Sequence, residues 1–443
     1  LFRSLMDTLS PLRSRNFRIY LGGQGVSMLG NWMQGTAQAW VVWRLTGSTA
    51  ALGIVAMLNT LPVLLLGPFS GVWADRLDRR KLLIYTNILA MILAVIMGGL
   101  VYTGEVRIWH VYILAGILGC VNALDIPSQQ AFIGDLSGVE HVRKGFTLNA
   151  IMEQVMRMIG PSVAGLMIGG FGEAPAFWLN GLSYVAVIAS LFSVKATQER
   201  QISASNPLMD FREGLSFVRR KPRIQDLILF TAMTTLFGFV NTQLFPEIAD
   251  HLLRGGPETL GTMMGAFGAG SFFSALLLTP ILQRVRRTGL ALAAIIAWSG
   301  FWFGAFSLSS WLPFSLLAIF CAAFAQPVVL TTVKGLIQVL APSNMRARVL
   351  SLQVMIAVGT QPISSLTVGF VAQLVGSSYV IRTNGMLMIV AAALLLAFRP
   401  ALRIWDPLDE SAEPSTVPIE PKQPLDPLKP GDHVMTKPGT KTL

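Results

Sequence analysis

The chain has 443 residues, of which 53% are apolar and 13% charged, against about 45–50% and about 25% in soluble domains. That balance excludes an ordinary soluble enzyme, and the apolar residues run in blocks about 20 long, enough to cross a hydrocarbon core about 30 Å thick. The net charge of +11 does not point to nucleic acid, because the basic residues lie between apolar blocks and not on one soluble domain.

Taken in chain order, the blocks predict twelve spans. The first six are 16–43, 49–74, 82–102, 109–133, 143–171 and 175–194, and the second six are 225–248, 258–282, 289–309, 312–338, 347–374 and 378–398. They are too long and too uniformly apolar for barrel strands, and only helices close their own backbone hydrogen bonds span by span in lipid. The expected fold is therefore an all-α membrane protein. The first block reads as a mature span and not as the core of a cleavable signal peptide, with Met6 an alternative start to Leu1. Cys120 and Cys321 both fall inside blocks, so neither a disulfide framework nor a metal ligand set is expected.

Orientation follows from the basic residues, which are retained on the cytoplasmic side of a membrane. With both termini inside, the outer segments receive Arg44, Arg107, Arg254 and Arg382, and Arg157 stays within a span. Every other Lys and Arg falls inside. Between spans six and seven, Leu208, Phe211, Leu215 and Val218 recur at helical spacing beside Arg212, Arg219 and Arg220, which predicts a short amphipathic helix on the inner membrane surface. The stretch after Trp405 carries eight prolines from Pro407 to Pro438 and is expected to be disordered. The expected division is a six-helix bundle over 1–194, a linker over 195–224, a second bundle over 225–400 and a tail over 401–443.

The halves repeat. Displaced by about 200 residues, Leu148 pairs with Leu352, Gly165 with Gly369, Gly172 with Gly376, Asn180 with Asn384 and Gly181 with Gly385. Chance is the competing explanation, since Gly and Leu are common. Two pseudo-symmetric six-helix bundles facing one another would place a binding site near the midplane between them.

The loop after span two reads Gly71-Val-Trp-Ala-Asp75-Arg76-Leu-Asp78-Arg79-Arg80-Lys81. It resembles the Gly-x-x-x-Asp-Arg-x-Gly-Arg-Arg signature of the major facilitator superfamily, departing from it at Asp78. A solvated basic loop would explain Arg79, Arg80 and Lys81 but not Gly71 and Asp75 at their spacing. The resemblance implies an inside latch built from Gly71, Asp75, Arg76, Arg79 and Arg80. In span five, Gly160-Pro161-Ser-Val-Ala-Gly165 is similar to an element of the exporters in that superfamily, and its proline and small residues let a helix bend and pack closely. Further likeness runs through Asp125-Ile-Pro127-Ser-Gln-Gln130 and Pro342-Ser-Asn-Met-Arg346-Ala-Arg348. These resemble the branch that holds macrolide efflux pumps and the enterobactin exporter.

Polar groups inside spans are the candidate site, because an ionisable side chain in lipid is costly unless it faces a cavity or a partner. Glu153 and Arg157 lie four apart on one helix face. They read either as a proton carrier with its tuning cation or as a permanent ion pair. Asp125 lies about 24 Å along span four, near its inner edge, and suits gating. Asn31, Gln34 and Gln38, with Trp40 nearby, read as a polar cavity wall in span one, and Asn241 as a cavity candidate in span seven. Asn31 and Ala115 replace the Asp and Arg that the resemblance associates with proton coupling, which leaves Glu153 as the carrier. Phe230, Phe237, Phe239, Trp298 and Phe301 would suit a large lipophilic solute. In span eight, Gly261, Gly265, Gly268 and Gly270 predict tight helix packing.

Three readings result. The first is a proton-coupled exporter of hydrophobic drugs or siderophore-like molecules, monomeric, in the cell membrane and without a cofactor. The second is a lipid or lysophospholipid flippase on the same scaffold. A membrane-embedded enzyme is the third, and it lacks a motif: His110, His141, His251 and His433 are scattered, and no Walker sequence occurs.

Overall fold

The computed structural model describes residues 10–137, 141–194, 207–282, 285–400 and 402, and within these it leaves out the side chains of 68, 71–76, 207–210 and 344. Most of the expected tail and the linker over 195–206 lie outside the described residues, as do the side chains of Gly71, Asp75 and Arg76. Every regular element among the described residues is helical. A 3₁₀ turn, Ser10–Arg13, leads into α1 (Arg15–Thr46), followed by α2 (Thr49–Arg76), α3 (Arg79–Tyr102), α4 (Ile108–Ser137), α5 (Val142–Phe171) and α6 (Ala174–Ser193). The short helix α7 (Pro207–Arg220) precedes α8 (Pro222–Leu252), α9 (Gly256–Leu282), α10 (Thr288–Ser307), α11 (Leu312–Leu340), α12 (Ser343–Val375) and α13 (Ser377–Phe398).

Ten of these helices are long and apolar enough to cross a membrane. The other two long ones, α1 and α5, have 32 and 30 residues but carry Gln24, Asn31, Gln34 and Gln38, and Asn149, Glu153, Gln154 and Arg157. These polar residues dilute a span-like apolar content.

Local chemistry sets the helix ends. Gly47 terminates α1 in the left-handed region, φ 56°, with its amide donating to the Trp43 carbonyl. Asp78, where the resembled signature has Gly, has φ −67° and caps α3 by accepting a hydrogen bond from the Lys81 amide at 3.2 Å. The departure thus exchanges a flexible turn for a capped helix start. In α11 the chain bends at Ala323–Phe324, just before Pro327, which has no amide to donate. Carbonyls at the bend are satisfied from neighbouring helices: Ser299 Oγ donates to Ala322 O at 2.5 Å, and Ser274 Oγ to Phe324 O at 2.6 Å.

α1 packs on α5 and α6, α2 on α4, and α3 on α4 and α6; later in the chain α10 packs on α11 and α13, and α9 on α11. Two long contacts join the early helices to the late ones, α5 with α9 and α2 with α12. Both are made by glycine. A Cβ on Gly165 would sit 2.7 Å from the Gly261 Cα, and one on Gly369 would sit 3.0 Å from the Gly53 Cα, so the backbones themselves are in contact. The tight packing expected of the span-eight glycines is present, Gly265 and Gly268 meeting α5 as well and Gly270 meeting α11. Helix α7 lies against α12, with Gly214 beside Leu352 and Arg348 and Glu213 paired with Arg348.

Candidate functional site

Residues 150, 153, 157, 161, 164 and 168 share one face of α5 by their spacing of three and four. Pro161, Ala164 and Ile168 on that face are buried, whereas Ala150 and Glu153 are exposed. The face is therefore packed toward the end of α5 that carries Gly172 and open toward the end that carries Val142. Arg157 sits at the boundary, where α9 makes its last close approach: a Cβ on Gly268 would meet the Arg157 carbonyl at 2.6 Å.

The Arg157 guanidinium projects into aromatic surroundings drawn from three helices. It lies 5.3 Å from the Trp32 ring of α1, 5.0 Å from Phe239 of α8 and 5.3 Å from Phe267 of α9, distances at which the negative ring faces attract a cation. Its Nη2 donates to Gln326 Oε1 of α11 at 3.0 Å. The Pro327 bend sets Gln326 at the start of the second half of α11 and so aims it at the arginine. Glu153, one turn away, makes no ion pair with Arg157 among those of the described residues.

The packed end is held by polar contacts between early and late helices. Trp43 Nε1 donates to Asp250 Oδ2 at 2.9 Å, and the Trp43 ring meets His251 edge to face at 5.1 Å. Thr49 donates from its hydroxyl to Gly369 O at 2.9 Å and from its amide to Gln373 Oε1 at 3.0 Å. Beside them, Arg44 pairs with Glu173 within the early helices at 2.6 Å, and Ser377 donates to Glu247 within the late ones.

The other expected site residues are distributed as follows. Asn31 is exposed and accepts from Asn180 at 3.2 Å and from the Tyr184 hydroxyl at 2.6 Å. Gln34 and Gln38 are buried; Gln34 accepts from Asn180 at 2.8 Å and Gln38 from Asn59 at 3.4 Å. In the late helices Asn241 is buried and accepts from Asn384 at 2.7 Å. The two asparagines matched by the internal repeat thus each donate to a side-chain carbonyl, one on α1 and one on α8. In this structure Gln34, Gln38 and Asn241 make helix-to-helix contacts, while Asn31, of the same expected wall as Gln34 and Gln38, is exposed. Trp40 packs at the edge of the hydrophobic clusters of both early and late helices.

Asp125 accepts from Thr86 at 2.6 Å and Asn87 at 3.2 Å, both on α3. Arg79 meets both Asp135 oxygens at 2.9 Å, and Arg80 donates to the Phe192 carbonyl at 2.9 Å. Among the aromatics expected around a solute, Phe239 touches the arginine, Phe230 is core and Trp298 and Phe301 lie exposed on the outer surface. Gln326, Phe267 and Asp250 were not singled out from the sequence. The signal for Gln326 was a Gln-Pro pair inside an apolar block; Phe267 carried none.

Long apolar helices around a charged group are the build of a multi-pass membrane protein. The family described as transmembrane secretion effector matches residues 6–426, and the chain belongs to it, within the major facilitator superfamily. It is a transporter of that class and not an enzyme. It is 28% identical over 58% of its length to an uncharacterized MFS-type transporter, YfiS, of Bacillus subtilis, spanning 61% of that protein. To the multidrug efflux pump Tap of Mycolicibacterium fortuitum it is 24% identical, over 85% of this chain and 94% of that one. The staphyloferrin A transporter of Staphylococcus aureus matches at 22% identity over 58% of this chain and 65% of its own. In fold it resembles the crystal structure of the nucleoside transporter NupG, with a TM-score of 0.69 and 13% identity over 86% of this chain and 98% of that one.

Proposed function

We propose that this protein is a proton-coupled exporter of hydrophobic drugs or siderophore-like molecules. In this reading, twelve spans form two six-helix bundles, 1–194 and 225–400, which rock about a central site in a bacterial cell membrane with both termini cytoplasmic. The observation that carries the reading is the face of α5 that is packed from Pro161 to Ile168 and exposed at Ala150 and Glu153, with Arg157 at the boundary. A contact closed at one end only is what alternating access requires. The polar content of α1 and α5 belongs to that interior face, which is why these helices span without being uniformly apolar. Tap and the staphyloferrin A transporter, one an efflux pump and the other a siderophore carrier by name, support export and the solute class.

Glu153 takes the proton, being exposed in the open cleft one turn from Arg157. Asp125 gates with Thr86 and Asn87; Asn31, Gln34, Gln38, Trp40 and Asn241 line the cavity when their contacts open; Gly160, Pro161 and Gly165 allow the close approach to α9. Gly71, Asp75, Arg76, Arg79 and Arg80 latch the cytoplasmic end in the opposite state. The test is efflux of a lipophilic dye and a macrolide from energised cells, with and without a protonophore, comparing wild type with Glu153→Gln. Transport that stops with the protonophore and in the variant supports the reading. Transport that survives both removes proton coupling and the role of Glu153.

A further inference from the structure

From the surroundings of Arg157 we infer that the substrate is an amphipathic organic anion, an aromatic ring system bearing a carboxylate, whose charge is received by this guanidinium. The inference rests on the exporter reading and names its substrate class. A guanidinium has five N–H donors and cannot be neutralised by losing a proton under physiological conditions. Here one hydrogen bond, to the neutral Gln326 amide, serves it among the described residues, and no carboxylate pairs with it. Its remaining nitrogens, Nε and Nη1, are not among the side-chain atoms sealed from solvent without a partner. The guanidinium thus keeps donors without a partner among the described residues, on a side chain that is half-buried, at the depth where the open face of α5 ends.

A permanent cation inside a span is costly, and a structural arginine is ordinarily balanced by a carboxylate in contact with it. Trp32, Phe239 and Phe267 stabilise the charge through their faces without neutralising it. Trp32 and Phe239, which are half-buried, also leave a surface on which an aromatic solute can stack beside the guanidinium. A carboxylate accepts charge-assisted N–H bonds from arginine, so the ligand that fits presents an anionic group to the N–H donors that Gln326 leaves free and a flat apolar body to the rings. A cationic solute would meet like charge at the same point.

The experiment measures equilibrium binding of three probes with one ring system and different charge, naphthylacetate, naphthylacetamide and naphthylmethylammonium, to the purified full-length protein in nanodiscs. Wild type is expected to prefer the anion over the amide by about tenfold or more, the scale of one charge-assisted contact, and to bind the cation least. Arg157→Gln is expected to bring the anion and the amide to equal affinity while amide binding persists, which shows that the variant is folded. Equal affinities in wild type, a preference that survives Arg157→Gln, or no binding of any probe overturns the proposal. The exporter reading fails separately, if energised cells expel neither the dye, nor the macrolide, nor naphthylacetate, and an anion preference in binding would stand even then.

Discussion

Arg157 and Gln326, 169 residues apart in sequence, meet through an Nη2–Oε1 hydrogen bond of 3.0 Å at the level where α5 stops touching α9. The bond ties the charged face of α5 to the segment of α11 that begins after the Pro327 bend. Replacing Gln326 by Leu should remove the arginine's hydrogen-bond acceptor and leave its position to the three rings. A bond to a charged group contributes about 1.5–3 kcal/mol, so dye efflux at matched expression should fall about tenfold or more. Arg157→Gln and Gln326→Leu combined should cost less than the sum of the two, as members of one contact do.

Gly165 and Gly261 bring two backbones together with no room for a side chain. Gly165→Val should hold α5 away from α9 and shift the protein toward the state open at the end that carries Trp43. Overpacking costs about 1–3 kcal/mol, enough to reverse a population ratio of about ten to one. Labelling of a Thr46→Cys reporter by a membrane-impermeant maleimide should accelerate in the valine variant. An unchanged labelling rate would show that the contact does not govern closure.

Trp43 and Asp250 close the same end by a 2.9 Å hydrogen bond. Trp43→Phe keeps an aromatic ring against His251 but deletes the donor, and Asp250→Ala deletes the acceptor. Each should raise accessibility at that end, and the double variant should add little to either. Pulsed electron-spin distance measurements between labels on the early and late helices at that end would read the shift directly.

Asn180 and Asn384 each donate across a helix pair, to Gln34 at 2.8 Å and to Asn241 at 2.7 Å. Substituting Ala at either leaves a buried carbonyl without a donor, a loss of about 1–3 kcal/mol. The thermal unfolding midpoint in detergent should drop in both variants. The two drops should add, because the pairs share no partner.

Glu213 of α7 pairs with Arg348 of α12 beside the close contact of Gly214 with Leu352. Glu213→Lys should place like charges together and release the short helix from α12. Limited proteolysis between α6 and α8 should then proceed faster than in wild type, while overall helicity by circular dichroism stays the same.

Much of this was legible from residue order. Apolar blocks of span length, broken by Arg and Lys, delimit the helices to within a few residues, because in lipid each helix must satisfy its own backbone and so carries its own signal. Gly71, Asp75, Arg79 and Arg80 at their spacing pointed to the family, and the Asn180–Asn384 match pointed to a repeat but not to the contacts these residues make. Glu153 and Arg157 stood out because charge within an apolar block is rare. What α5 touches was a different matter. That Arg157 meets Gln326 and three rings instead of pairing with Glu153, that Gln34 and Asn241 are shared between helices, and that Trp43 reaches Asp250 were decided by tertiary structure. The physical reason is that a span's apolar content is a property of the segment, whereas a side chain's partner depends on how helices distant in sequence are rotated and how closely glycine lets them approach.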